Sequence, residues 1–559
     1  MVETVKVYQA GEPVILLSKN EFTVNNFGET ISVDLQSNVE YGVQMPNVDW
    51  IKAEDASRAM SSHTLKYTVA ANETNKSRNA EIIFYDKNSS LKDTLKITQS
   101  KWQEIPYLTF SADDEQTLTM SKTVETLEYS VNDGEWKTLG TVVVSFGGNK
   151  GNLQLRGKNP EGTAKDFDNF STIRFGNDCP VNCFGDIRTL IDYENYATVN
   201  TSIARFCRLF RYCDNLISSP KLPSTTLADD CYYDMFAGCT SLTNAPELPA
   251  TTLAGGCYGG MFAECTSLTN APQLPATTLA GGCYGGMFAG CTSLTNAPEL
   301  PATTLAGRCY DGMFAGCTSL TNAPELPATT LAYYCYYCMF AGCTSLTNVP
   351  ELPATTLEYY CYLEMFYGCT SLTDAPQLPA TTLARGCYER MFIGCTSLTN
   401  VPELPATTLE NFCYSEMFSG CTSLTNAPEL PATTLAFLCY CSMFSGCTSL
   451  TNAPVLPSTT LAERCYKAMF SGCTSLTNAP VLPATTLAES CYYEMFAGCN
   501  LLNNITMLAT DISEEDCLYY WVLGVSNTGT FTKSASMTSL PDGMNGIPIG
   551  WQIENYTEE

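Results

Sequence analysis

The chain has one histidine, His63, set among Ser, Thr and Asn residues. A catalytic triad, a Cys–His nucleophile pair and a zincin site each need a placed imidazole. Read as a solvated loop residue, His63 removes most histidine-dependent chemistry. Cysteine is abundant, with 29 copies, an odd number. Cys335-Tyr-Tyr-Cys338 has CxxC spacing, but Cys338 stands where the surrounding repeat varies, and a metal needs thiolates that converge on one ion. Cys179 and Cys183 read as a local disulfide or a capping feature. Acidic residues number 57, and Glu247, Glu299, Glu325, Glu351, Glu403 and Glu429 recur as a column. A glycosidase needs two carboxylates of distinct environment in one cleft. A repeated column reads instead as a solvated stripe, with weak Ca²⁺ affinity as the sharper alternative. GxSxG, HExxH and a glycine-rich phosphate loop are all missing. The expectation is a protein that is not an enzyme, with no cofactor and no metal.

Charge and length narrow the partners. The 559 residues carry a formal net charge of −28. From residue 201 onward there are 10 Lys or Arg against 29 Asp or Glu. Nucleic acid and anionic membrane surfaces are therefore disfavoured. No apolar run reaches the ~18 residues of a membrane span.

A repeat decides the architecture. From Cys231 the text CYYDMFAGCTSLTNAPELPATTLA recurs every 26 residues, and its Met-Phe pair appears in 11 copies from Met235 to Met495. A degenerate copy around Phe210 and Cys213 precedes them, and a half-copy with Cys517 follows. Within one unit, Leu253, Cys257 and Met261 are spaced i, i+4, i+8, with Ala254, Tyr258 and Phe262 one residue later. That spacing predicts a short helix with a broad apolar face, capped by Thr251 or Thr252 and ended by a Gly such as Gly238 or Gly290. SLTNAPELP follows as a short strand with Leu242, Ala245 and Leu248 inward, kept irregular by Pro246 and Pro249. Stacked, such units form an α/β solenoid of about 12 coils. Two Cys columns, Cys213 to Cys499 and Cys231 to Cys517, fall on inward positions. Buried free thiols are the favoured reading, with disulfides between the columns the alternative.

Residues 13–102 and 103–200 read as all-β sandwich modules, from runs such as ISVDL, LKYTVAA, AEIIFYD, LKITQ and TVVVSF. The second is also the expected N-terminal cap of the solenoid, which occupies 201–526. Residues 527–559 read as a β-like C-terminal cap. Residues 1–12 match the end and start of the following module (VKVYQ against LKITQ), so they read as the end of a preceding copy. On that reading a signal or anchor would lie further upstream.

The pattern MFxGCTSLTxAPxLP resembles the BspA-like leucine-rich repeats of bacterial surface proteins, from about Ile203 to Val525, with a longer predicted helix. Residues 13–101 resemble a BACON domain, an immunoglobulin-like module of gut Bacteroidota. The matching text is Ser37-Asn38-Val39, Asp49-Trp50-Ile51, Val69 to Asn72, Arg78 before AEIIFYD, and Ile97 to Gln99. Trp50 reads as core. The resemblance implies an extracellular or cell-surface protein, adhesion for the repeats, and glycan or mucin attachment or spacing for the BACON module.

Variation between copies points to a surface. It concentrates at the two residues before each Cys-Tyr and the two after. Tyr333, Tyr334, Tyr359, Tyr360, Phe412, Phe437 and Leu438 cluster in five neighbouring units. With Tyr337, Leu363, Tyr367, Arg385 and Arg390 they form the expected ligand-binding patch. The expected function is adhesion, the solenoid presenting this patch to a host or microbial surface protein. A glycan-binding surface protein and a phage-borne host-recognition appendage are the alternatives.

Overall fold

A computed structural model describes residues 12–24, 28–54, 63–72, 74, 76–99, 101, 105–538 and 540–557. The expected remnant of a preceding module, at 1–12, lies almost wholly outside them, as does the side chain of His63. The chain divides into two compact units, 1–105 and 106–559.

The first unit is all β. Its strands are β1 (Ile15–Leu17), β2 (Glu21–Val24), β3 (Glu29–Ser37), β4 (Tyr41–Gln44), β5 (Ile51–Ala53), β6 (His63–Val69), β7 (Arg78–Asp86) and β8 (Lys92–Gln99). They form two four-stranded sheets, β1-β3-β6-β5 and β2-β8-β7-β4. The alternation in ISVDL puts Ile31, Val33 and Leu35 inward against Ile82, Phe84, Leu95 and Ile97. Trp50 is buried, and the Arg78 guanidinium sits 4.4 Å from its ring centroid. Arg78 also donates to the Ala70 and Ala71 carbonyls, which locks the corner after β6.

The second unit begins with eight strands: β9 (Leu108–Ser111), β10 (Gln116–Met120), β11 (Glu128–Val131), β12 (Lys137–Thr138), β13 (Val144–Phe146), β14 (Leu153–Arg156), β15 (Ile173–Phe175) and β16 (Asn182–Phe184). They form sheets β13-β10-β15 and β12-β11-β14-β9-β16. Their core is continuous with that of the repeats: Phe110 lies 6.2 Å from Phe210. Parallel bridges Gly162–Arg205, Val181–Leu216 and Asp186–Lys221 tie the module to the open edge of the first coil. Cys179 and Cys183 form no disulfide; Cys183 is buried in β16.

The repeats stack as coils, but the predicted helices are turns. In the unit from Leu253, Gly259, Met261, Ala263 and Cys265 donate to the carbonyl three residues back. The N–H groups between them, on Gly256, Tyr258, Gly260, Phe262 and Glu264, donate to the next coil 25 residues on. Every fourth residue is left-handed: Gly256, Gly260 and Glu264 have φ of 61°, 58° and 60°. The apolar spacing survives because a chain of four-residue turns repeats every four residues. An α-helix repeats every 3.6, close enough to place the same side chains inward over eight residues. The glycine pairs at 255–256, 259–260, 281–282 and 285–286 were the missed signal, since glycine weakens a helix but suits left-handed turns. Thr252 is not a helix cap; it forms a parallel bridge with Thr278.

The strand segments are reduced to single bridges such as Asn244–Asn270, as the prolines require. Regular strands appear at the end of the stack: β17 (Asn478–Leu482), which still carries Pro480 and a register irregularity there, and the proline-free β18 (Asn504–Met507), β19 (Thr530–Lys533) and β20 (Gln552–Asn555). They form one parallel sheet, with Asn504 paired to Thr530. The segment 527–559 thus extends the stack, and Trp521 and Trp551 are buried at its end.

Inside, residues 26 apart stack on one another. Tyr232 to Tyr492 and Phe210 to Phe496 form two ring ladders; Phe314 lies 5.6 Å from both Phe288 and Phe340, at 7° and 4°. Both Cys columns are buried free thiols. Cys317 donates to the Phe288 carbonyl at 3.1 Å, and its equivalents do the same. Burial pushes the thiols of Cys231 and Cys291 up to about 12.

Candidate functional site

The variable pair before each Cys-Tyr lies on the outside of the turn spiral, and its second member is the left-handed residue. Side chains 26 apart therefore meet across coils. Tyr334 and Tyr360 stack at 5.1 Å and 16°. Tyr333 and Tyr337 meet the Tyr334 ring edge-on, at 6.4 and 5.8 Å. The exposed Arg385 guanidinium lies 5.9 Å from the Tyr360 ring and 5.3 Å from that of Phe412. Phe412 meets Phe437 edge-on at 5.4 Å. Two arginines that sequence reasoning missed close the ends. Arg308 lies 4.8 Å from Tyr334, and Arg464 lies 5.9 Å from Phe437. Both stand in the same variable pair, so the columns that exposed the tyrosines also contained them.

The result is a ribbon that reads Arg308, Tyr334, Tyr360, Arg385, Phe412, Phe437, Arg464 along the stack. Tyr333, Tyr359 and Tyr367 project most, at 55%, 60% and 47% exposure. Leu363 and Leu438 are half-buried. Glycine beneath the rings makes room: a Cβ on Gly307 would collide with the Tyr333 ring, and one on Gly386 with the Tyr360 ring.

Arg390 belongs to a second row. It bridges Glu364 at 3.2 Å and Glu416 at 3.0 Å, each one coil away. Cys338 donates its thiol hydrogen to Glu364 at 3.2 Å, so its CxxC partner Cys335, buried in the core, is not its neighbour in chemistry. Glu389 sits beside this row. Burial, and then the charges of Glu416 and Glu364, push its carboxyl up to about 7 against the opposing pull of Arg390. The Glu247 column is on the strand side, solvent-exposed, and resolves into no group of metal-ligating side chains among the described residues.

The Cys338 thiol beside Glu364 is not an activated nucleophile, because burial and then the Glu364 hydrogen bond push it up to about 12. The arrangement offers ring edges, phenol hydroxyls, guanidinium groups and a carboxylate row, which is the chemistry of a recognition surface.

Comparison with known families finds matches in two parts of the chain. Residues 39–100 match the BACON family, whose description reads "Putative binding domain, N-terminal". Residues 258–373, 283–425, 360–467 and 387–520 match the BspA type leucine rich repeat region (6 copies). Both are binding-type rather than catalytic modules, and no enzyme family is indicated. No curated protein and no solved structure matches the chain. No helix among the described residues is long and apolar enough to cross a membrane.

Proposed function

We propose, for a chain that is a BspA-like leucine-rich repeat protein with an N-terminal BACON domain, that it is an adhesion protein of the cell surface or extracellular space. Its ribbon captures a protein on a host or microbial surface. The observation that carries this reading is where the bulky residues stand. Tyr334, Tyr360, Phe412 and Leu438 have φ of 53°, 54°, 63° and 53°. An L-residue there costs about 1–2 kcal/mol. The same column holds glycine, free of that cost, at Gly256, Gly282 and Gly386. The four side chains lie outside the core, so folding does not need them. Asp230, Arg308, Arg464 and Ser490 carry the same strain in this column. What sets the four apart is that they place large apolar side chains on an outer face, where the rings meet across neighbouring coils.

A protein ligand fits better than a glycan. Sugars stack on ring faces, but the faces of Tyr334 and Tyr360 are turned to each other. Around that pair the ribbon presents edges, hydroxyls and arginine, the usual anchors of protein interfaces.

The test is the Tyr333→Ser, Tyr334→Ser, Tyr359→Ser, Tyr360→Ser variant of the whole chain. It is assayed for capture of host matrix proteins, with mucin glycans and capsular polysaccharides alongside. Protein capture should be lost while the melting temperature stays the same or rises. Capture that survives the four changes rules the ribbon out.

A further inference from the structure

Away from the ribbon, in the β-module that caps the first coil, residues 122–126, 158–165, 169–171 and Ile203 enclose a cleft of about 420 Å³. Its floor is fixed by the backbone: Thr163 and Ala164 both donate to the Arg205 carbonyl, at 2.9 and 3.2 Å. Thr163 is only 5% exposed, and its hydroxyl has no hydrogen-bond partner. A buried hydroxyl left unpaired costs about 1–3 kcal/mol, and unlike the unpaired Tyr232 and Tyr258 hydroxyls of the coil core this one belongs to a residue that lines a cleft. The walls are mixed. Ile203 is 51% exposed, and the half-buried Phe170 carries the Lys122 ammonium 5.7 Å from its ring centroid. Lys122, Lys165, Glu125 and Glu161 all line the cleft and none forms an ion pair, whereas Lys158 is held by Glu194 at 2.6 Å.

We propose that this cleft binds a single pyranose ring of a saccharide. Its volume lies in the range of small-ligand sites, about 300–1,000 Å³. An anion would meet Glu125 and Glu161, and a cation would meet Lys122 and Lys165. A wholly apolar ligand would strand all four charges without water and leave the Thr163 hydroxyl as unpaired as it is now. A sugar ring instead brings both donors and acceptors on its hydroxyls. It also brings a C–H face for the exposed Ile203, while the Phe170 ring stays beneath Lys122 and Arg208. The site is independent of the ribbon and of the protein-capture reading, since no cleft residue belongs to either.

Saturation-transfer NMR on the whole chain tests it, with the methyl glycosides of glucose, galactose, mannose and N-acetylglucosamine as probes. Glycine and lysine serve as zwitterionic comparisons. Transfer to the ring protons of at least one glycoside is expected. Thr163→Val keeps the shape and removes only the hydroxyl, so it should weaken that glycoside about tenfold while leaving the melting temperature unchanged or higher. Lys165→Ala, at an exposed position, should weaken it as well. The proposal is overturned by no transfer to any glycoside, by transfer to the zwitterions alone, or by transfer that neither variant reduces. Transfer lost on Tyr333→Ser and Tyr359→Ser instead would put the sugar on the ribbon and equally overturn it.

Discussion

Neighbouring glycines in one coil distinguish a turn spiral from a helix by the sign of a stability change. Gly285 and Gly286 follow Cys283-Tyr284. Gly286 has φ of +62°, and a Cβ there would meet nothing within 4 Å. Gly285 is outside the left-handed region, and a Cβ there would sit at ordinary contact distance, 3.5 Å, from the Arg308 carbonyl. Gly286→Ala therefore meets no collision and feels the backbone alone. The left-handed conformation costs alanine about 1–2 kcal/mol, and the narrower unfolded ensemble returns about 0.4–1 kcal/mol. The net is a loss of about 0.5–1 kcal/mol. Gly285→Ala pays no backbone cost and should gain about 0.4–1 kcal/mol. Adding the equivalent neighbours, Gly282→Ala with φ of +67° and Gly281→Ala, should roughly double each effect. In an α-helix all four changes would stabilise, by about 1 kcal/mol each. Repeat arrays need not unfold in one step, so the readout is native-state amide exchange in the coil, at Gly286, Phe288 and Gly290, supported by urea midpoints. Stabilisation by the Gly282→Ala, Gly286→Ala pair would refute the turn spiral and restore the helix.

Other outcomes follow from the same columns. Glu264 has φ of +60° where the other full coils place glycine, as at Gly290 and Gly316; Glu264→Gly should stabilise by about 0.5–1 kcal/mol, read as a raised urea midpoint. Glu389 titrates at about 7 when folded against an ordinary 4.5. The folded chain holds the proton more tightly, so stability is greatest below pH 4.5 and falls as pH rises towards 7. With its partial exposure discounted, the fall is about 1 kcal/mol, and wild type minus Glu389→Gln midpoints across that window should show it; parallel curves would remove it. Thiol labelling of the native chain at pH 8 should be confined to the half-buried Cys179, Cys338 and Cys441, with the remainder reacting only after denaturation; rapid native labelling of Cys317 or Cys343 would contradict a closed core. Phe340→Ala opens a gap between Phe314 and Phe366 in the ring ladder and should cost about 3–5 kcal/mol, lowering the midpoint more than any change in the ribbon.

The period of 26 was legible because near-identical text repeats, and it predicted which side chains face inward even where the local conformation was misread. Met261, Phe262, Cys257 and Tyr258 are buried as their spacing required. What the spacing lacked was the difference between 3.6 and 4 residues per turn, which accumulates too little over two turns to be seen. Glycine content held that information: Gly255, Gly256, Gly259 and Gly260 in one ten-residue stretch contradict a helix, and Gly256 and Gly260 occupy left-handed positions. The aromatic patch was legible for another reason. Only comparison between copies separates positions the core fixes from those it leaves free, and this chain carries its own copies. Contacts within the patch were not legible, because whether Tyr334 meets Tyr360 face-on or edge-on depends on side-chain geometry that no spacing encodes. The cleft around Thr163 was invisible for a stronger version of that reason, since its walls come from four separated segments of a non-repeating module.

The turn spiral also explains why the aromatic ribbon arises there rather than on the strand side. Half of its N–H groups bond to the next coil, so each outward pair is held in register with its neighbours by backbone alone. A side chain introduced in two adjacent coils automatically becomes a contact pair, as Tyr334 with Tyr360 and Phe412 with Phe437. On the strand side the conserved text SLTNAP is tied to the core through Leu242 and Leu248, and change there would disturb packing. On the turn side the only constraint is the left-handed φ, about 1–2 kcal/mol per bulky residue. That is small against the core of a long stack, where every added coil buries another Tyr, Met, Phe and Leu. The array therefore tolerates strained residues in proportion to its length. It follows that grafting Tyr at Gly256 and Gly282 should extend the ribbon by two coils, with a modestly lower urea midpoint. If the ribbon is the capture surface, ligand capture should strengthen with it; capture that ignores the added rings would confine recognition to Tyr333, Tyr359 and their immediate neighbours.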